Sequence, residues 1–168
     1  MPGVLALLPE YAGLSDPVAD LRAACAKAVA WLEGSVEIVA DAQGRRVAEH
    51  LLAAVGSSGP VIRPAEATPD RARDLIVVAN GSATRTEKAP GHLDERAAAF
   101  DEELGRHLRE GDSESLRAID VALADELWAT VRPLVELGAV GDLGAGETVY
   151  DDDPFGVQYW VMRWRCES

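Results

Sequence analysis

The chain has 168 residues, is 48% apolar and carries a formal charge of −13. This length fits one domain over residues 1–168 with a core of useful size, and the apolar content argues against disorder. The acidity argues against nucleic-acid partners, which need a basic footprint to displace counterions, and against adsorption to anionic membranes.

Solubility is the simplest consequence of that acidity. Lys27 and Lys88 are the only lysines; the other basic residues are Arg. Two cysteines, Cys25 and Cys166, are too few for a disulfide framework and lack metal-site spacing. No basic stretch precedes a long apolar run at the start, and no apolar run reaches membrane-spanning length. A cytoplasmic protein is the expectation.

Residues 4–8 form a short apolar run stopped by Pro9, which predicts a first strand. Ser15 or Asp16 can cap a helix with Pro17 in its first turn. Val18, Leu21, Cys25, Val29 and Leu32 recur at helical spacing up to Gly34. Residues 36–40 read as a second strand. Asp41 caps a helix through Val47, Leu51, Leu52 and Val55, closed by the Gly-Ser-rich stretch 56–60.

Val61 and Ile62 suit a brief edge segment, and 68–74 a polar connection. Residues 75–79 are continuously apolar, as in a strand covered on both faces, and Asn80-Gly81-Ser82 ends them with turn chemistry. Leu93, Ala97, Phe100, Leu104 and Leu108 mark one helix face, stopped by Gly111. Ser113 opens a shorter helix, and 123–137 is again helical with an interruption at Pro133. Residues 138–146 carry four glycines without phosphate-binding spacing and read as a loop. Asp151-Asp152-Asp153 reads as a solvated turn. Residues 157–164 are apolar or aromatic at both parities, so this last strand is expected inside a sheet. Strands alternating with helices predict a three-layer α/β domain with a central, mostly parallel sheet.

From about residue 75 to residue 163 the chain resembles the LigB-like superfamily, the catalytic subunits of class III extradiol ring-cleavage dioxygenases, whose fold the Memo-type proteins share. The likeness rests on an ordered set: a strand followed by a polar loop and Ala89-Pro90-Gly91-His92; Phe100-Asp101, Gly111-Asp112 and Leu116 to Ile119-Asp120; then Arg132-Pro133-Leu134 and, further on, Tyr150, Pro154-Phe155-Gly156-Val157 and Tyr159. The resemblance implies a non-haem Fe(II) site of two His and one Glu that opens catechol-type rings with O2, with a further His as acid and base. Such ligands hold Fe(II) and leave positions open for catecholate and O2.

The ligand positions are changed. Where the family has a catalytic His after the central strand, this chain has Thr84 within Gly81-Ser82-Ala83-Thr84-Arg85-Thr86. Four residues before Arg132, where the family has its Glu, stands Trp128; Glu126 would point to another side of a helix. The first segment, Leu8-Pro9-Glu10, has no His. Only His50, His92 and His107 exist.

In open α/β folds ligands bind beyond the carboxyl ends of strands, where residues 80–92 would lie. Asn80, Ser82, Thr84, Arg85 and Lys88 are therefore expected to line a small-molecule cleft. Arg85 and Lys88 could take an anionic group, or pair with nearby acids. His92 is the candidate acid–base residue, with Asp94 as the alternative cap of the next helix. His50 reads as a surface or half-buried helix residue, and His107 as a boundary residue of the core. The leading expectation is a LigB-like protein that has lost ring-cleavage chemistry, needs no cofactor and binds a small aromatic or anionic molecule. One alternative is an active Fe(II) dioxygenase with a displaced site built from His92, His50 and Glu10. Another is a self-associating homo-oligomer that uses residues 157–164 and its tryptophans.

Overall fold

Helix starts and stops are set by residues that complete unpaired backbone groups. The computed structural model of the chain describes residues 1–11, 16–33, 35–56 and 74–165. Asp16 accepts the Val18 N–H at 3.1 Å ahead of α1 (Ala19–Val29), which buries Leu21, Ala24, Cys25 and Val29. Asp41 accepts the Gly44 N–H at 2.6 Å and opens α2 (Ala42–Ala54), whose Val47, Ala48, Leu51 and Leu52 are buried. α3 (Arg96–Glu110) ends at Gly111, whose φ of 67° is the left-handed conformation glycine adopts most easily. Asp112 caps α4 (Ser113–Arg117) and Asp120 caps α5 (Val121–Glu126). Pro133 lies in the first turn of α6 (Arg132–Val140).

Strands are fewer than the alternating pattern suggests. β1 (Val36–Val39) and β2 (Asp74–Val77) pair in parallel, with Ile38 opposite Ile76. β3 (Glu147–Asp152) and β4 (Tyr159–Arg163) form an antiparallel pair with an irregularity between Thr148 and Tyr150. The described residues thus form two two-stranded sheets, one parallel and one antiparallel. The chain after β2 joins them: Asn80 bridges Thr130, Gly81 N–H donates to Gln158 O at 3.0 Å, and Gln158 N–H donates to Ser82 O at 3.0 Å.

β4 organises the interior. Val157, Tyr159 and Val161 enter a core with α1, β1 and α2, while Trp160 and Met162 enter a second core with α3 and α6. The two-residue period of an extended chain sends alternate side chains to opposite faces, which explains why this stretch is apolar at both parities. Its faces are covered as expected, yet among the described residues its only sheet neighbour is β3.

Several expectations need correction. Residues 4–8 are not a strand: they enter two 3-10 turns, Leu5–Leu7 and Pro9–Tyr11. The helix expected over 123–137 is two helices, and the break precedes Pro133, at Leu127 to Val131. Helix α6 runs on through Gly138, which lies against Ser113 O and Arg117, so the expected loop begins later. Asp151 and Asp152 belong to β3, not to a solvated turn. Leu93 lies outside α3 and is exposed. Of the tryptophans, Trp160 is buried, Trp31 and Trp164 are half-buried, and Trp128 is 60% exposed. Ser15, Gly34, residues 57–60, Val61, Ile62, the connection 68–73 and Cys166 lie outside the described residues. Among the described residues no helix is long and apolar enough to cross a membrane.

Candidate functional site

The loop after β2 is held from within. Asp101, 2% exposed on α3, accepts the Ser82 N–H at 2.8 Å, the Ser82 hydroxyl at 2.5 Å and Arg85 Nη1 at 3.1 Å. Arg85 Nε donates to Asp153 Oδ2 at 2.6 Å. Burial pushes the Asp101 carboxyl above the usual aspartate range, against the lowering effect of the Ser82 and Arg85 hydrogen bonds. Burial alone would lower Arg85, but its bonds to Asp153 and Asp101 outweigh that and hold it as a firm cation. A Cβ on Gly81 would come 2.8 Å from Asp101 Oδ1 and 2.7 Å from Gln158 Cβ, so the backbone can reach this carboxylate only through glycine.

Several of the expected cleft residues take part in internal contacts. Asn80 Oδ1 accepts the Gly3 N–H at 3.0 Å and ties down the first residues. Ser82 is fully buried, and Thr84 is buried with no hydrogen-bond partner for its hydroxyl among the described residues. Lys88 and His92 are exposed; His92 adopts a φ of 61°. Asp94 accepts the Arg96 N–H at 2.9 Å, and its bonds to Arg96 lower its carboxyl to about 2.

Two positions marked by the family resemblance both lie beside Gly91. A Cβ on Gly91 would lie 2.6 Å from Thr84 Cγ2 and 3.2 Å from Trp128 Cδ2. Neither Thr84 nor Trp128 is a ligand for Fe(II), and Glu126 is exposed and paired with Arg96 at 2.7 Å. Glu10 pairs with Arg46, His50 is half-buried on α2, and His92 lies in the loop after β2. Among the described residues, one set of three His, Cys, Asp or Glu side chains brings ligand atoms within 4.8 Å of one another, and it is His107, Glu110 and Asp112. The residues present do not fit the two-His, one-Glu iron site, either at the family positions or through His92, His50 and Glu10.

A cavity of about 320 Å³ lies elsewhere, within the size range of small-molecule sites. Its walls come from the end of α1 (Ala28, Val29) and the residues after it (Trp31, Leu32), from β2, from α6 (Leu137, Val140) and from the end of β4 and the residues after it (Met162 to Arg165). The lining is largely apolar. Its charged groups are Arg163, Arg165 and Asp74, besides the Met1 amino group. The guanidinium carbons of Arg163 and Arg165 lie 5.2 Å and 4.9 Å from the Trp31 ring centre, within cation–π range. Asp74 Oδ2 accepts the Glu33 N–H at 2.6 Å, and Arg163 Nη2 donates to Glu147 at 2.5 Å. Among the described residues Arg165 has no ion pair.

None of Asn80, Ser82, Thr84, Arg85, Lys88 and His92 lines this cavity. The residues that do escape sequence reasoning because they come from five distant stretches of the chain. One local sign is readable: Arg163 and Arg165 share a parity around Trp164, which places two cations on one side of extended chain.

Comparison with family models, with curated proteins and with solved structures finds no match.

Proposed function

We propose that this chain is a non-catalytic binding protein for a small, mainly apolar aromatic molecule bearing one anionic group. The ligand sits in the cavity between α1, β2, α6 and the end of β4. The observation that carries this reading is the pairing of an apolar lining with Arg163 and Arg165 at the Trp31 ring. An apolar body gains from leaving water, and a guanidinium fork pairs well with a carboxylate or similar group. Arg165, without an ion pair among the described residues, is the anchor for that group.

The scaffold reading belongs to the same proposal: a LigB-like, three-layer α/β domain whose iron centre has been lost. Two things support it. Thr84 and Trp128, which occupy the family's His and Glu positions, both lie beside Gly91. The parallel pair β1–β2 leads directly into that loop. An active ring-opening site finds no such support, because among the described residues two His and a Glu do not converge.

Calorimetric titration with 2-naphthoate and with its neutral analogue 2-naphthalenemethanol tests the binding function. The carboxylate should bind one to one and about tenfold more tightly than the alcohol, the scale of a charge-assisted hydrogen bond of about 1.5 kcal/mol. Arg165→Gln should remove that preference. Equal affinity for both compounds, or no saturable binding, would count against the proposal.

A further inference from the structure

We infer that the C-terminal end of α3 holds a divalent transition-metal ion of the Zn²⁺ class, through His107, Glu110 and Asp112. This site is separate from the cavity and does not depend on the proposed ligand.

The chain builds the set locally. His107 and Glu110 are three residues apart, so they share a face of the last turn of α3. Gly111, at φ 67°, then reverses the chain, and the Asp112 N–H donates to His107 O at 3.0 Å. That reversal brings Asp112 Oδ2 to 3.2 Å from His107 Nδ1. A tetrahedral site with bonds of about 2.0–2.2 Å separates its ligand atoms by about 3.4 Å, so the pair already stands near ligand spacing. A ligand atom from each of the three residues lies within 4.8 Å of the others.

Two members are fixed before any ion arrives. The imidazole is buried, 9% exposed, which restricts its ring. Asp112 Oδ1 accepts the Ser115 N–H at 3.0 Å as the cap of α4, which leaves Oδ2 facing the ring. Glu110 is exposed and can swing inward. One neutral imidazole and two carboxylates balance a 2+ charge, and the carbonyl end of a helix favours a cation. Nitrogen with carboxylate oxygen suits Zn²⁺ and its neighbours better than Ca²⁺ or Mg²⁺, which take oxygen ligands.

One cation already stands at the mouth. Arg106 Nη1 lies 2.7 Å from Glu110 Oε2, and its Nη2 lies 3.2 Å from His107 Nε2. Glu103 Oε1 lies 3.6 Å from the same ring nitrogen. The guanidinium must release Glu110 when the ion binds, so Arg106 competes with the metal. Its removal should tighten binding; a guanidinium needed to hold the site together would give the reverse.

The test uses the full chain, stripped with a chelator and titrated with Zn²⁺ against a chromophoric competitor. One ion per chain is expected. Glu110→Gln, on an exposed side chain, should weaken affinity at least about tenfold, as should Asp112→Asn, which keeps the capping oxygen. Arg106→Ala should tighten it, and His92→Ala and His50→Ala should leave it unchanged. Zn²⁺ should raise the thermal midpoint of the parent chain and not that of Glu110→Gln. Absence of saturable binding, or an affinity unchanged by Glu110→Gln, would overturn the inference.

Discussion

Asp101 shows how a residue type common in active sites can hold a loop in place. Its two oxygens take the Ser82 amide, the Ser82 hydroxyl and Arg85, and almost none of it reaches solvent. Asp101→Ala should cost about 3 kcal/mol in urea unfolding, because it strands buried donors. Thr84→Val should do the opposite. It replaces a buried hydroxyl that has no hydrogen-bond partner among the described residues with a methyl of similar shape, and should raise stability by about 1 kcal/mol. Loss of stability in Thr84→Val would show that the hydroxyl has a role. Acid unfolding reports on other carboxylates. Hydrogen bonds hold Asp94 and Asp112 at about 2, below the unfolded value of about 3.9. Their contribution is therefore present above about pH 4 and is lost as the pH falls toward about 2. Asp101 has the opposite sign. Burial raises it, so the folded chain takes up this proton more readily than the unfolded one, and ionisation above the unfolded value works against folding. Asp94→Asn should accordingly make the acid limb of a stability–pH curve shallower.

At the scale of elements, α6 gives a sharp test. Within a helix, Gly→Ala usually gains about 1 kcal/mol. At Gly138 a Cβ would stand 2.7 Å from Ser113 O and 2.9 Å from Arg117 N, both backbone atoms of the neighbouring α4 region. Gly138→Ala should therefore lower the urea midpoint, and a raised midpoint would show that α4 and α6 can separate without cost. The same contact explains why the sequence misleads here. Glycines at 138, 141, 144 and 146 look like a loop, whereas the first of them is what lets two helices touch. Helices opened by Asp41 and closed by Gly111 are legible because cap and apolar period agree. β3 is not, because both ends of Glu147–Asp152 face solvent and its acids resemble a turn. Residues 4–8 mislead because a short apolar run carries no period to tell a strand from a 3-10 turn.

Across the whole molecule, β4 divides two cores, and the cavity opens where its far end meets α1, β2 and α6. The sequence locates the apolar strand but not the cavity, since a wall built from distant segments leaves no local motif. It also marks residues 80–92 as rich in functional groups, which is true, but cannot tell that Asp101 and Asp153 already engage Ser82 and Arg85. The four tryptophans divide these places cleanly. Trp31 and Trp164 line the cavity, Trp160 lies in the second core, and Trp128 stands exposed by the loop. Their indole N–H signals in a two-dimensional NMR titration with 2-naphthoate are the most direct measurement. Saturable shifts at Trp31 and Trp164, with Trp128 unmoved, are predicted. Shifts at Trp128 together with the backbone amides of Thr84 and His92, while Trp31 stays fixed, would contradict binding in the cavity and return the site to the loop.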